Sequence, residues 1–493
     1  MAFFLPCLYN EAEKTRQRGL KRGEQRMYHK RISEFPGEFL FGAATSAFQV
    51  EGGIQEGGRG RAVHDLIPAP EGITDFSVAS DHYHRYEEDV TLMQELGLQA
   101  YRFSMSWTRI LPDGKHINDE GIAFYKRLVQ MIVDKGMVPI VTIYHFEYPQ
   151  DLIEAYGGWI SRESIGDYVN FARILFENFG DQVKYWLTIN EQDHLLKIPE
   201  RLGFAPEMDV LTYEKQAQSA NYHMCVATAE VIRLCHETIP DARIGPVVNP
   251  MPAIPASNRP EDLIAAMEFN ELSTYYIMDI HCRGAYSPLY WKYLCDRGIE
   301  PELRDEDMQL IRSYPPDFLG VNYYMNQTVA ASRSEEIGLH GKGFSVPGES
   351  GIYRIVDNEH IKRTDWGWNI CPEGLKITVM DLYNRYQLPL LFTENGLGAY
   401  DQLEDGAVHD SYRIEYIESH LSQIKDCIGM GYPVMGYCAW SFIDLVSGRE
   451  GMDKRYGFVY VNRDNHELKD SKRIRKDSFY WYQKIIAERG KSL

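Results

Sequence analysis

Eight short apolar runs punctuate the chain, and their spacing leaves few folds open to it. They are FLFGAATS (39–46), AYRFSMSW (100–107), MVPIVTIYH (137–145), VKYWLTIN (183–190), RIGPVVNP (243–250), DFLGVNYY (317–324), LPLLFTEN (388–395) and VMGYCAWS (434–441). Near-continuous apolar runs of this length suit strands buried on both faces, as in a parallel sheet. Between them lie segments of helical period. SDHYHRYEEDVTLMQELG opens on the capping-type Ser80 and closes at Gly97, with Tyr86, Val90 and Met93 on one stripe. SRESIGDYVNFARILFENFG sets Ile165, Val169, Ala172 and Phe176 in register, and CPEGLKITVMDLYNRY and DSYRIEYIESHLSQIKDCIGMG fill later gaps. Strands alternating with helices predict an α/β chain folded as a single (β/α)₈ TIM barrel with long βα loops. A doubly wound sheet would need a Gly-rich phosphate fingerprint after a strand, and the sequence has none.

Charge narrows the partners. Lys and Arg total 52 against 71 Asp and Glu, a net charge of −19. Such a surface repels nucleic acid and anionic membrane, so any anion must be held by a local site. The eight cysteines form no CxxC pair and no metal-ligand spacing, which reads as reduced core thiols. No apolar run reaches membrane-spanning length. The first thirty residues begin with a short apolar patch followed by mixed charge, the wrong order for a signal peptide. The expectation is a cytoplasmic protein, with a homo-oligomer left open. Residues 333–360 form a long irregular stretch on the βα side, read as a rim or lid loop.

In a barrel of this kind the functional groups stand at the C-terminal ends of the strands. The fourth run ends in Asn190–Glu191 and the seventh in Glu394–Asn395. Two carboxyls aimed at one barrel mouth are what glycoside hydrolysis needs, one as acid/base and one as nucleophile or base. Gln49, Arg102, His145, Asn322, Tyr323, Tyr324 and Trp440 come from other strand ends. Amides and imidazole can hydrogen-bond sugar hydroxyls, and an indole face can cover a pyranose.

With these residues on the page the chain resembles family 1 glycoside hydrolases. FLFGAATSAFQVEGG, YRFSMSWTRILP, TIYHFEYPQ, LTINE, FLGVNYY, LFTENG, WSFIDL and KRYGFVYVN occur in the family's order, between about Phe35 and Trp481. The resemblance implies a barrel domain over 31–493, an unmatched extension over 1–30, and retention of anomeric configuration. It implies Glu191 as acid/base and Glu394 as nucleophile, Asn190 on the sugar 2-hydroxyl, and Arg102 and Tyr324 positioning Glu394. Gln49, His145 and Trp440 would bind the glycone. Retention predicts carboxyls about 5–5.5 Å apart. The chain departs from the family at Gln192, where NEP is common, at Phe146, where YHW is common, and in its first thirty residues. Met27 could serve as a second start, so residues 1–26 are expected to be dispensable.

The stretch VSGREGMDKRYG (446–457) bears on the sugar. Members acting on plain glucosides carry Glu–Trp where this chain has Ser447–Gly448. Members acting on 6-phosphoglycosides carry Ser there, with Lys and Tyr seven and nine residues on, as Lys454 and Tyr456 are here. Arg449 reads as an exposed neighbour. The absence of a Trp at Gly448 favours gluco over galacto, and Trp366 in DWGW resembles an aglycone-stacking residue. The resemblance therefore implies a 6-phospho-β-glucosidase without metal or organic cofactor, its partner a small sugar phosphate. The alternatives are a β-glucosidase or β-galactosidase on unphosphorylated substrates, or an inactive sugar-phosphate-binding barrel.

Overall fold

The computed structural model describes residues 32–203, 208–333, 348–349 and 351–493. The extension over 1–30 and most of the expected rim loop lie outside them. All eight apolar runs are strands: β1 (Leu40–Ala44), β2 (Ala100–Ser104), β3 (Val138–Tyr144), β4 (Tyr185–Ile189), β5 (Arg243–Gly245 and Val247–Val248), β6 (Leu319–Asn322), β7 (Leu390–Asn395) and β8 (Val434–Trp440). Each pairs in parallel with the next, and β1 pairs with both β2 and β8, closing the ring. Strand β5 is split because Pro246 has no N–H to donate. Its first half pairs with β4 and its second with β6.

The helices close the outer ring. His82–Leu96 ends at Gly97, whose φ of +84° is left-handed, and it buries Val90 and Met93 with Tyr86 packed at the edge. Its cap differs from the expectation. Asp81 occupies that position without a side-chain cap bond, and Ser80 instead donates to the Asp444 carbonyl at 2.6 Å, tying the β1 loop to the β8 loop. In Glu163–Phe179 the expected Ala172 and Phe176 are buried, together with Tyr168, Phe171, Ile174, Leu175 and Phe179, while Ile165 and Val169 are only half-buried. The larger aromatic residues on the adjacent stripe turned that helix toward themselves.

The stretch expected to be irregular carries structure on its flank. Tyr353–Ile355 pairs antiparallel with Gln327–Ala331, which also pairs with Ala253–Pro255, and helix Pro260–Asn270 packs Ala265, Ala266 and Phe269 against this small sheet. The seven described cysteines are all free thiols, five of them buried as expected, with Cys282 half-buried and Cys295 exposed. No helix of the described residues is long and apolar enough to cross a membrane.

Candidate active site

Strand β7 loses register with both neighbours after Phe392, and this bulge swings Glu394 into the barrel mouth. Arg102, fully buried on β2, donates to its Oε1, and Tyr324 donates to Oε2 at 2.6 Å. The guanidinium is itself held by Thr142 Oγ1 at 2.8 Å and Asn190 Oδ1 at 2.6 Å. Burial raises the Glu394 carboxyl above its ordinary value, and Arg102 with the Tyr324 hydrogen bond pulls it back. Removing the guanidinium would leave a carboxylate with nothing to offset its lost hydration.

Glu191 stands just past β4 with φ +41°, a left-handed conformation rare outside glycine and typical of residues held for function. Its Oε1 accepts from Asn322 Nδ2 at 2.8 Å, and that amide also donates to Asn190 Oδ1 at 3.1 Å. Thr393 fixes the Asn322 amide by donating to its Oδ1 at 2.6 Å. No cation pairs with Glu191 among the described residues. Burial, then the charges of Glu394 and Asp193, push it up to about 8. Two carboxyls on one mouth thus sit in opposite surroundings: one clamped by a guanidinium, the other kept protonated by burial and like charge. That is the arrangement of a nucleophile and an acid.

Around them is an open cavity of about 790 Å³, lined by Gln49, His145, Asn190, Trp440, Ser447 and Tyr456 as well as the two glutamates and Tyr324. His145 stacks on Trp440 with ring centres 6.3 Å apart and bonds the Asn190 amide at 3.2 Å. Burial and then Arg102 hold its imidazole far below the ordinary value, so it stays neutral. Gln49 is fixed by the Val446 carbonyl at 3.0 Å and by Ser46 at 2.7 Å. These groups were expected from the strand ends, and the fold brings them to one pocket.

A second pocket of about 1060 Å³ adjoins it, sharing His194, Arg201, Trp368, Ser447 and Tyr456 and adding Arg449, Glu450 and Lys454. The Lys454 ammonium is buried among rings, 3.8 Å from the centre of Trp368, 5.1 Å from Trp366 and 5.9 Å from Tyr456. Burial lowers it to about 8. The loop beneath is tied by ion pairs and hydrogen bonds. Arg455, between Lys454 and Tyr456, pairs with Asp444 at 2.9 Å, and Asp444 is bonded by Lys476 at 2.6 Å and by the Gly457 N–H at 2.9 Å. Gly398 belongs to this packing, because a Cβ there would stand 2.7 Å from Lys454 Cγ. Ser447 donates to Glu450 at 3.1 Å.

Trp366 does not line either pocket. It stacks on Tyr400 at 4.5 Å, and Trp368, two residues on, forms the wall instead. Both indoles of DWGW are equally apolar, and only the packing against Tyr400 decides which faces inward. Sequence reasoning also passed over Arg201, Glu450 and the bridging part played by Asn322. None of these carries a local signal.

Residues 31–491 match the profile described as Glycosyl hydrolase family 1. Aryl-phospho-beta-D-glucosidase BglC of Bacillus subtilis (strain 168) is 40% identical over 483 residues, covering 95% of this chain and 100% of that protein. Phospho-cellobiase of Klebsiella oxytoca is 38% identical, covering 94% and 100%. The solved family 1 β-glucosidase from Thermotoga maritima superposes with a TM-score of 0.83 at 34% identity, covering 93% of this chain and 99% of that one. The chain, a (β/α)₈ barrel with paired carboxyls at its mouth, belongs to glycosyl hydrolase family 1.

Proposed function

We propose that the protein is a retaining 6-phospho-β-glucosidase that releases glucose 6-phosphate and an aglycone. The observation that carries this reading is Lys454, a buried ammonium ringed by aromatic faces in a pocket continuous with that of the two glutamates. Burying a cation is costly, and an arriving phosphate dianion would add negative charge beyond that of Glu450. The names of the Bacillus and Klebsiella relatives, an aryl-phospho-glucosidase and a phospho-cellobiase, support the same substrate class.

In this reading Glu394 attacks the anomeric carbon while Glu191 delivers its proton to the leaving oxygen. Glycosylation removes the negative charge beside Glu191, which then takes a proton from the incoming water, and water cleaves the glycosyl ester. Both steps invert, so configuration is retained. Gln49, His145, Asn190 and Trp440 hold the glucose ring, and Ser447, Lys454 and Tyr456 hold the 6-phosphate. Gly448 leaves an equatorial 4-hydroxyl unobstructed. Trp368, rather than Trp366, forms the aglycone wall.

The test is turnover of paired 4-nitrophenyl β-glucosides with and without the 6-phosphate. A kcat/KM at least 100-fold higher for the phosphorylated member is expected from two charge-assisted bonds, each worth about 1.5–3 kcal/mol. Turnover of the plain glucoside alone would replace the reading with a β-glucosidase, and turnover of neither would favour a binding protein.

The pH profile of kcat/KM is a second check. The acid limb should lie above the ordinary glutamate value, because burial raises Glu394 and activity needs it ionised. The alkaline limb should lie near 8, where Glu191 loses the proton it must donate. With the phosphorylated substrate the alkaline fall should be steeper, since Lys454 discharges over the same range. An alkaline slope identical for both substrates would remove Lys454 from phosphate binding.

A further inference from the structure

We propose that Arg201 is an additional phosphate-binding residue, and that Gly448 is glycine because its bare α-carbon lets the Arg201 guanidinium reach the pocket. The proposal rests on the 6-phospho-β-glucosidase reading and extends it to a residue from a distant loop.

Three observations carry it. The first is position. Arg201 lies in the short 3₁₀ turn Pro199–Leu202 of the loop after β4, and it lines both the glutamate cavity and the Lys454 pocket. It therefore stands at the junction where Ser447 and Tyr456 also stand. The second is steric. A Cβ built on Gly448 would lie 3.2 Å from Arg201 Nη2, with no other atom of the described residues within 4 Å. The guanidinium thus crosses directly over residue 448, next to Ser447. A bulkier side chain at 448 would occupy that space. The guanidinium also lies over the Phe146 ring, its Cζ 4.8 Å from the ring centre. Phe146 has φ +73°, a conformation uncommon outside glycine. Arg201 thus touches both this ring and the glycine, contacts that reduce the ordering needed to meet an anion.

The third observation is charge. Lys454, Arg201 and Arg449 line the pocket together with one carboxylate, Glu450. His64 and His194, also in the lining, are held neutral by burial and then by the charge of Arg201. Glu450 acts on Lys454 and favours its charged form against the cost of burial. Arg449 is exposed, and salt screens it. Arg201 adds a half-buried guanidinium to this lining. Its planar fork can also give two parallel N–H···O bonds, which Lys454 cannot.

The experiment compares wild type, Arg201→Gln, Arg201→Lys, Gly448→Val and the double variant Arg201→Gln/Gly448→Val. Each is assayed for kcat and KM on 4-nitrophenyl 6-phospho-β-glucoside and 4-nitrophenyl β-glucoside, and for competitive inhibition by glucose 6-phosphate. Loss of one charge-assisted contact should lower the phosphorylated-to-plain ratio of kcat/KM by about 10–100-fold, expressed as a raised KM, and weaken glucose 6-phosphate by the same factor. Arg201→Lys should recover part of the loss. Gly448→Val should mimic Arg201→Gln, and the double variant should be no worse than either, because both remove one contact. An Arg201→Gln ratio equal to wild type, or equal losses on both substrates, would overturn the proposal while leaving the phospho-glucosidase reading intact. Fully additive losses in the double variant would overturn the part assigned to Gly448. Failure of wild type to prefer the phosphorylated substrate would overturn the parent reading, and this proposal with it.

Discussion

Glu394→Ala should lower turnover of 4-nitrophenyl 6-phospho-β-glucoside by on the order of 10⁴-fold or more, with the fold retained in a thermal melt. Glu394 is bonded on both oxygens, by Arg102 and by Tyr324, so its removal deletes the attacking atom and leaves a buried guanidinium unpaired. That second effect should cost on the order of 3–5 kcal/mol of stability, visible as a lowered Tm. Azide offers a sharper readout than lost activity. It is a small anion that fits the vacated space beside Arg102, and it attacks the anomeric carbon once, not twice. The product should be the α-glycosyl azide, formed while Glu191 still protonates poor leaving groups. Recovery of a β-azide, or wild-type rates without azide, would remove Glu394 from the nucleophile's part.

Ser447→Glu should reverse the substrate preference. Ser447 stands where both pockets meet, bonded to Glu450, and can donate to a phosphate oxygen by turning its hydroxyl. A carboxylate in its place donates nothing and meets the phosphate as a like charge at close range. Losing a charge-assisted bond and adding that repulsion should lower kcat/KM for the phosphorylated substrate by about 10³-fold. The plain glucoside should gain, because a carboxylate accepts from the sugar's hydroxyls. The measurement is again the paired assay, and a parallel decline on both substrates would mean that the variant had disturbed the loop. That loop has reason to resist disturbance: Asp444 collects Arg455, Lys476 and the Gly457 N–H beneath it.

The two glutamates were legible before any coordinates because each follows a run whose burial is a local property. A strand covered on both faces must be apolar throughout, so its polar end marks the barrel mouth. Glu191 and Glu394 are such ends. Arg102 and Tyr324 were expected at Glu394 from the family pattern, and each bonds a different oxygen of it. Trp366 went the other way. Its indole and that of Trp368 are separated by one glycine, and nothing within DWGW says which turns inward; the stacking partner Tyr400 lies more than thirty residues on. Arg201 was invisible for the same reason, since its position depends on Phe146 and Gly448, both remote in sequence.

By itself, then, the sequence determined the barrel, its eight strands and the pair of carboxyls, because apolar periodicity and strand ends are written residue by residue. Only the tertiary structure decided the electrostatics. Glu191 is pushed to about 8 by burial and then by a carboxylate that arrives from another strand. Lys454 is lowered to about 8 by burial in a pocket built from distant segments. A side chain's proton affinity and direction belong to its neighbours, and those neighbours come from all round the barrel.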